Sequence, residues 1–251
     1  MPVYRLLLCY DGTRYRGWQK QGNTPDTLQE KLETLLSRLL CESTEVQGCG
    51  RTDAGVHARR QTCSFHTEKP LNTRETLAAL RRYLPEDIAA LSLTEADSRF
   101  HARLCAKEKT YVYRVRVSDT PDVFARKYVY HFPCEPDLSA LRSAAEQLTG
   151  THDFTAFTSD RRVRTGKKSG VRTVYEISAE LAGEDLSELR LTFRGDGFLY
   201  NEVRILAGTL LEVATGKRKA EELPMILSSK DREQAGPTLP PQGLTLWDQK
   251  Y

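Results

Sequence analysis

Three kinds of feature are missing from this 251-residue sequence, and each absence excludes a class of protein. No apolar run approaches the roughly 20 residues that a helix needs to cross a bilayer. The six cysteines, Cys9, Cys41, Cys49, Cys63, Cys105 and Cys134, stand singly, with no Cys-x-x-Cys pair and no His-x-His or His-Glu-x-x-His spacing. Neither a zinc site nor a disulfide framework is indicated, and reduced thiols that mostly fill the core are expected. Nucleotide-binding loops are missing too. Gly48, Gly50 and Gly55 fail the G-x-G-x-x-G pattern because Asp53 occupies its last glycine position. Thr165-Gly166-Lys167-Lys168-Ser169 fails as a P-loop because Arg161 stands where a glycine is required and no hydroxyl follows Lys167. Chemistry driven by ATP is not expected. The chain opens on a strand-like Val3 to Tyr10, without a basic segment leading into an apolar one, so no signal peptide is read and a cytoplasmic protein is expected.

What is present is ordinary in amount and biased in kind. Hydrophobic residues make up 39% and charged residues 28%, enough for one large domain or two modest ones with a proper core. The formal charge of +3 does not by itself require an anionic partner, yet 25 arginines stand against 12 lysines. Arginine is the better residue for bidentate phosphate contacts and for stacking on bases. Residues 99–116 hold Arg99, Arg103, Lys107, Lys109, Arg114 and Arg116 against the single acid Glu108, and residues 161–172 hold six cations and no acid. One such cluster reads as solvated surface; two tilt the reading toward a polyanionic partner.

Hydrophobic periodicity divides the chain into two similar passes. Residues 3–10 read as a strand ending at Asp11-Gly12, and Thr27 to Glu30 is a capping-box pattern that opens a helix with an apolar stripe at Leu28, Leu32, Leu35, Leu36 and Leu39. Gln61 to His66 alternates as a strand, Asn72 to Leu84 reads as a helix closed by Pro85, and Ile88 to Leu93 as a short strand. The second pass begins at Lys109 with Tyr111, Tyr113, Val115 and Val117 on one strand face, then an extra strand at Tyr128 to Phe132 and a helix at Leu138 to Thr149 stopped by Gly150. Strands at Val171 to Glu180 and Leu186 to Arg194, a helix at Tyr200 to Thr215 stopped by Gly216, and a strand at Leu244 to Lys250 complete it. The order predicts an α+β protein of two ferredoxin-like (split β-α-β) lobes with antiparallel sheets, 1–105 and 106–251.

Gly50-Arg51-Thr52-Asp53-Ala54-Gly55-Val56-His57-Ala58 sets one carboxylate on a glycine-bounded turn between strand-like runs. The residues alone leave Asp53 two readings, an Asx-turn residue bonded to its own backbone or a catalytic carboxylate kept ionised by Arg51. His57 is read as making a structural hydrogen bond. Tyr10 to Gln21 interleaves aromatic, cationic and amide side chains, which is either a surface for nucleic acid or a tight turn with Tyr10 and Trp18 in the core. Asp11 and Asp196, each followed by glycine, read as turn residues, and the segment from Gly195 runs into a helix that carries Arg204.

Together these segments resemble the tRNA pseudouridine synthase A family nearly end to end. The resemblance rests on Tyr10-Asp11-Gly12-Thr13 with Gly17-Trp18-Gln19, the Gly50 to Ala58 block, and Phe100-His101-Ala102-Arg103 leading to Tyr111 and Tyr113. It continues through Gly150-Thr151-His152-Asp153-Phe154, Gly197-Phe198-Leu199 with Val203-Arg204, and Gly243-Leu244-Thr245-Leu246. It implies an isomerase that converts uridines at positions 38, 39 and 40 of the tRNA anticodon arm to pseudouridine. Asp53 is then the catalytic aspartate, Tyr111 the tyrosine packed on the uracil, and Arg204 the arginine that pairs with the aspartate. Arg51 would hold the place vacated by the flipped nucleotide, while Arg14, Arg103 and Lys109 would contact the RNA. The resemblance further implies a homodimer with tRNA as partner and with neither cofactor nor metal. Two other readings share these features, a tRNA-binding or folding factor without chemistry and a related synthase with a different RNA target. One departure stands out: Glu202 occupies a position where the family usually carries methionine, and it is expected not to compete for Arg204, because residues two apart on a helix do not face each other.

Overall fold

The computed structural model describes residues 1–183 and 187–251. In chain order its strands and helices are β1 (Val3–Tyr10), α1 (Leu28–Leu40), β2 (Gln47–Gly48), β3 (His57–His66), α2 (Thr73–Tyr83), β4 (Ile88–Ala96), β5 (Glu108–Val117), β6 (Tyr130–Phe132), α3 (Leu138–Leu148), β7 (Gly150–Asp153), α4 (Arg161–Arg164), β8 (Val171–Ala182), β9 (Glu188–Gly195), α5 (Glu202–Ala214), α6 (Leu223–Ser229) and β10 (Leu244–Lys250). The fold is mixed α/β and divides into two compact units, Met1–Lys107 with Thr245–Tyr251, and Glu108–Leu244.

In the first unit the strand order is β4-β1-β3-β10, with β2 added on β3. The antiparallel β1–β3 and β1–β4 pairs put β1 in the middle, and six of its eight residues are buried, as a strand covered on both faces requires. Helix α1 starts where the capping pattern predicts: Thr27 Oγ1 accepts from Glu30 N at 3.3 Å. The Glu30 carboxylate pairs with Lys20 Nζ at 2.8 Å. Leu28, Leu32 and Leu36 are fully buried, each contributing about 2 kcal/mol of transfer free energy, while Leu35 and Leu39 are half-buried. Asn72 caps α2 through Glu75 N, and the helix ends before Pro85.

The second unit has the order β5-β9-β8-β7, all antiparallel, with β6 alongside β5. Helix α5 is buried at every position from Glu202 to Leu211 except Arg204, as expected of a helix that is apolar nearly all round. Helix α3 packs against α5 and β8.

The structure departs from the sequence expectations in several places. The sheets are not wholly antiparallel: β10 runs parallel to β3 (Thr245 opposite His57) and β6 parallel to β5. The last strand, counted by periodicity with the second lobe, belongs to the first unit, since strand pairing over long sequence separations leaves no trace in local pattern. Helix α3 ends at Leu148 with Thr149 extended, and Gly150, at φ +119°, opens β7 instead of capping the helix. The short β7, α4 and α6 have no counterpart among the expected elements; Thr151-His152-Asp153 and the Arg161 run have no apolar period to betray them. Leu186, the expected start of β9, lies outside the described residues. The cysteines all carry free thiols but only Cys49 and Cys63 are buried, so core filling describes a minority of them.

Candidate active site

The loop that carries Asp53 is held by backbone contacts on both sides. Gly50 O accepts from Gln61 Nε2 at 2.7 Å, and Thr52, which is buried, receives Trp18 N on its carbonyl at 2.9 Å and contacts Tyr10 Oη through its hydroxyl at 2.8 Å. Gly55 N donates to Tyr15 O at 3.3 Å, and Val56 N closes the turn on Asp53 O at 3.1 Å. This fit needs glycine at two facing positions. A Cβ on Gly12 would sit 2.0 Å from Val56 O, and Gly17, at φ +94°, would put one 2.8 Å from Thr52 O. Asp53 is half-buried between exposed Arg51 and exposed Ala54, so the loop presents a carboxylate whose backbone has little freedom to move.

His57, at the start of β3, takes the structural role expected of it. Its Nδ1 accepts the Gly12 N–H at 3.0 Å, and Asp11 Oδ1 lies 3.1 Å away from the same nitrogen. The backbone N–H can only donate, so Nδ1 is the acceptor. Asp11 makes its turn by taking Thr13 N at 2.9 Å and the Thr13 hydroxyl at 2.5 Å on Oδ1. Asp196, read as a turn residue, instead bridges to β8, accepting Thr173 N at 3.1 Å.

The aromatic stretch from Tyr10 is core and not a stacking surface: Tyr10, Tyr15 and Trp18 are all buried, the last against Gly48. Two of its side chains converge on an acid that sequence reasoning missed. Asp87 receives Tyr15 Oη at 2.5 Å on Oδ1, and Arg14 Nε and Nη2 at 2.9 and 2.7 Å on Oδ2. Hydrogen bonding to Asp87 raises the Arg14 pKa, and the Arg14 side chain stays two-thirds exposed. Asp87 lies just beyond Pro85, where nothing in the local pattern distinguishes it from a turn acid. Arg103 is exposed on a segment pinned by Ala102 N to Ser64 Oγ at 3.0 Å and by Tyr251 Oη to Ala102 O at 2.9 Å.

In the second unit Tyr111 lies on β5 opposite Phe193 of β9, buried, with its ring edge-on to Phe198 at 5.4 Å. Lys109, half-buried, is opposite Gly195 two residues earlier on β5. Arg204 is on the first turn of α5. Its Nε donates to Leu239 O at 2.7 Å and its Nη1 to Asn201 Oδ1 at 3.0 Å, so the 236–243 loop and the helix cap hold the guanidinium between them. The Arg204 charge also acts on Tyr113, whose hydroxyl donates to Pro240 O at 2.8 Å; burial, the larger cause, pushes that phenol's pKa up. Phe198 and Asn201 are the neighbours sequence reasoning did not single out for these tasks. Asn201 has φ +63°, a left-handed backbone for which asparagine is one of the few tolerant residues. Glu202, as expected, turns away from the arginine: its Oε2 accepts Leu199 N at 2.5 Å.

The basic run after Asp160 forms the short α4. Val163 is buried beneath it, and Arg161, Arg164 and Lys167 are exposed. Asp160 caps it through Arg162 N at 2.9 Å. The segment is tied to the start of α5 by Ser159 N to Tyr200 O at 3.2 Å and Asn201 Nδ2 to Ser159 Oγ at 3.1 Å. Among the described residues no helix is long and apolar enough to cross a membrane, and no group of three or more His, Cys, Asp or Glu side chains is arranged to hold a metal ion.

Comparison with known proteins matches residues 8–104 and 144–251 to a family described as tRNA pseudouridine synthase. The chain is 42% identical to tRNA pseudouridine synthase A 1 of Clostridium tetani (strain Massachusetts / E88), over 100% of both chains. It is 44% identical to tRNA pseudouridine synthase A of Geobacillus sp. (strain WCH70), over 98% of this chain and 97% of that one. Against tRNA pseudouridine synthase A 2 of Bacillus thuringiensis subsp. konkukian (strain 97-27) the identity is 39% over 98% of each. With both the Asp53 loop and the Arg204 helix inside the matched residues, the chain belongs to the tRNA pseudouridine synthase family.

Proposed function

We propose that this isomerase converts uridines at positions 38, 39 and 40 of the tRNA anticodon stem and loop to pseudouridine, with Asp53 as its catalytic carboxylate. The observation that supports this reading most directly is the Asp53 loop, a half-buried carboxylate on a backbone fixed from both sides within the most specific motif of the chain. The reaction breaks the N1–C1′ bond, turns the uracil and joins C5 to C1′, with the C5 proton leaving and N1 taking a proton up, so that the net change is an isomerisation. Glycosidases need two carboxylates because their leaving group departs with a proton and water replaces it. Here the base stays, so one ionised aspartate suffices, as nucleophile at C1′ or as base at C2′ through a glycal. Arg204 keeps that aspartate ionised, and Tyr111 confines the detached uracil.

The target nucleotide leaves its stack at a cost of a few kcal/mol, and Arg51 holds the vacated place. Arg14, Arg103 and Lys109 contact the RNA, with Arg161, Arg164 and Lys167 as a further phosphate-binding patch. The architecture that goes with this reading is two ferredoxin-like lobes around a central cleft, in a homodimer that works in the cytoplasm.

Incubating the protein with unmodified tRNA, without ATP or added metal, should yield pseudouridine, and Asp53→Asn should lower the rate on the order of 10³-fold or more while tRNA still binds. Conversion by Asp53→Asn at the wild-type rate would remove Asp53 from the mechanism, and binding without conversion by the wild type would favour a non-catalytic tRNA factor.

A further inference from the structure

Glu202 is a fully buried acid at the start of α5 for which the proposed chemistry has no use. Oε2 accepts the Leu199 N–H at 2.5 Å, and Oε1 is buried with no hydrogen-bond partner among the described residues. The Leu199 bond spans residues 199–202, and Glu202 N returns to Leu199 O at 3.2 Å, so the two residues clasp that turn from both ends, with Phe198 directly before it. What the turn carries gives this clasp its meaning. Phe198 stands edge-on to Tyr111, and Asn201 accepts from Arg204.

We propose that Glu202 is a positioning residue: its buried carboxyl holds the 199–202 turn, and through it the adjoining Phe198 against Tyr111 and Asn201 against Arg204, so that turnover follows the protonation of this one side chain. The proposal rests on the reading that Tyr111 and Arg204 act on the uridine. Burial favours the neutral acid and outweighs the opposing influences of the Leu199 N–H and of Arg172 on β8; Asp196, in the turn after β9, adds to it. The balance pushes the pKa from the ordinary 4.5 up to about 8. Once ionised, the carboxylate costs more in this dry setting than one N–H returns, and moving it toward water opens the turn. A methionine here would carry no such proton.

The test compares wild type with Glu202→Gln, which keeps an acceptor for Leu199 and mimics the neutral acid, and with Glu202→Met, which has neither acceptor nor proton. Pseudouridine formation is followed from pH 6 to 9 at saturating tRNA. Wild-type kcat should fall roughly ten-fold between pH 7 and pH 9, as one group of pKa about 8 requires. Glu202→Gln should stay within about two-fold over that range, and Glu202→Met should be equally flat at a lower kcat with KM little moved. An alkaline decline shared by wild type and Glu202→Gln would overturn the proposal.

Thermal stability across pH separates this outcome from failure of the functional reading. Below about pH 4.5 the acid is protonated folded and unfolded, whereas between 4.5 and about 8 only the folded chain keeps the proton, so the stability it contributes is lost as pH rises. The Tm advantage of Glu202→Gln over wild type should therefore grow from pH 5 to pH 8. If that advantage grows but no variant makes pseudouridine, the functional reading fails and the positioning role fails with it. A constant Tm difference overturns the proposal whatever the activity.

Discussion

The Asp53 loop and the Arg204 helix solve the same problem, fixing a charged side chain, by opposite means. Asp53 is on irregular backbone, and its rigidity comes from hydrogen bonds to the neighbouring 12–18 segment, brought close by glycines that leave no room for a side chain. Arg204 is on a buried helix and its own guanidinium is gripped, by Leu239 O and Asn201 Oδ1. In the first case the main chain is held. In the second the side chain is oriented, as bidentate donors allow. An arginine with five N–H groups can commit some of them to anchoring.

The comparison is broken hardest at Gly12. Gly12→Ala should destabilise the fold by about 3 kcal/mol and remove activity with it, because the new methyl falls on Val56 O and the loop must move; equilibrium denaturation with a parallel assay reads both. Arg204→Ala tests the opposite strategy. It should depress turnover roughly 10²-fold with a smaller change in tRNA affinity. Equal losses in both would make Arg204 a group that positions RNA.

The smallest effect is expected away from both. Replacing Arg161, Arg164 and Lys167 together by alanine should leave the fold intact and flatten the dependence of tRNA affinity on salt, by roughly 0.7–0.9 of slope for each phosphate no longer neutralised. An unchanged slope would mark the α4 patch as solvated surface only.

How much of this can be read in the sequence follows from the same contrast. The Asp53 loop is local: glycines, turn residues and flanking strands lie within a few positions, so the motif is legible as a constrained carboxylate from the sequence alone. Its partners are less visible. The 12–18 segment shows aromatics and glycines, but which of them are core depends on packing, and Tyr15 and Trp18 prove buried. Around Arg204 one contact, Asn201 three residues earlier, is local and the other is not. Leu239 lies beyond α6, and its role is that of a backbone carbonyl, which no side-chain pattern encodes. Glu202 stands out in the sequence only as an odd residue against the family, and its burial requires the helix to be seen packed on every side. Strands and helices with clear apolar periods, such as β1, α1 and α5, emerge where expected; β7 and α4, built from polar residues, do not announce themselves.

The parallel pairing of β10 with β3 has a bearing on how the chain is made. The first unit is interrupted: after β4 the ribosome must build the whole of Glu108–Leu244 before the residues that complete the first sheet exist. Until then β3 presents the edge that Thr245 and Leu246 will occupy, next to His57 and the Asp53 loop. The second unit is continuous in sequence and free to fold during synthesis, whereas the carboxylate-bearing unit must close a long loop at the end. The unit that carries Asp53 is thus the last to be completed, and a nascent chain lacking its final strand exposes an open edge on β3.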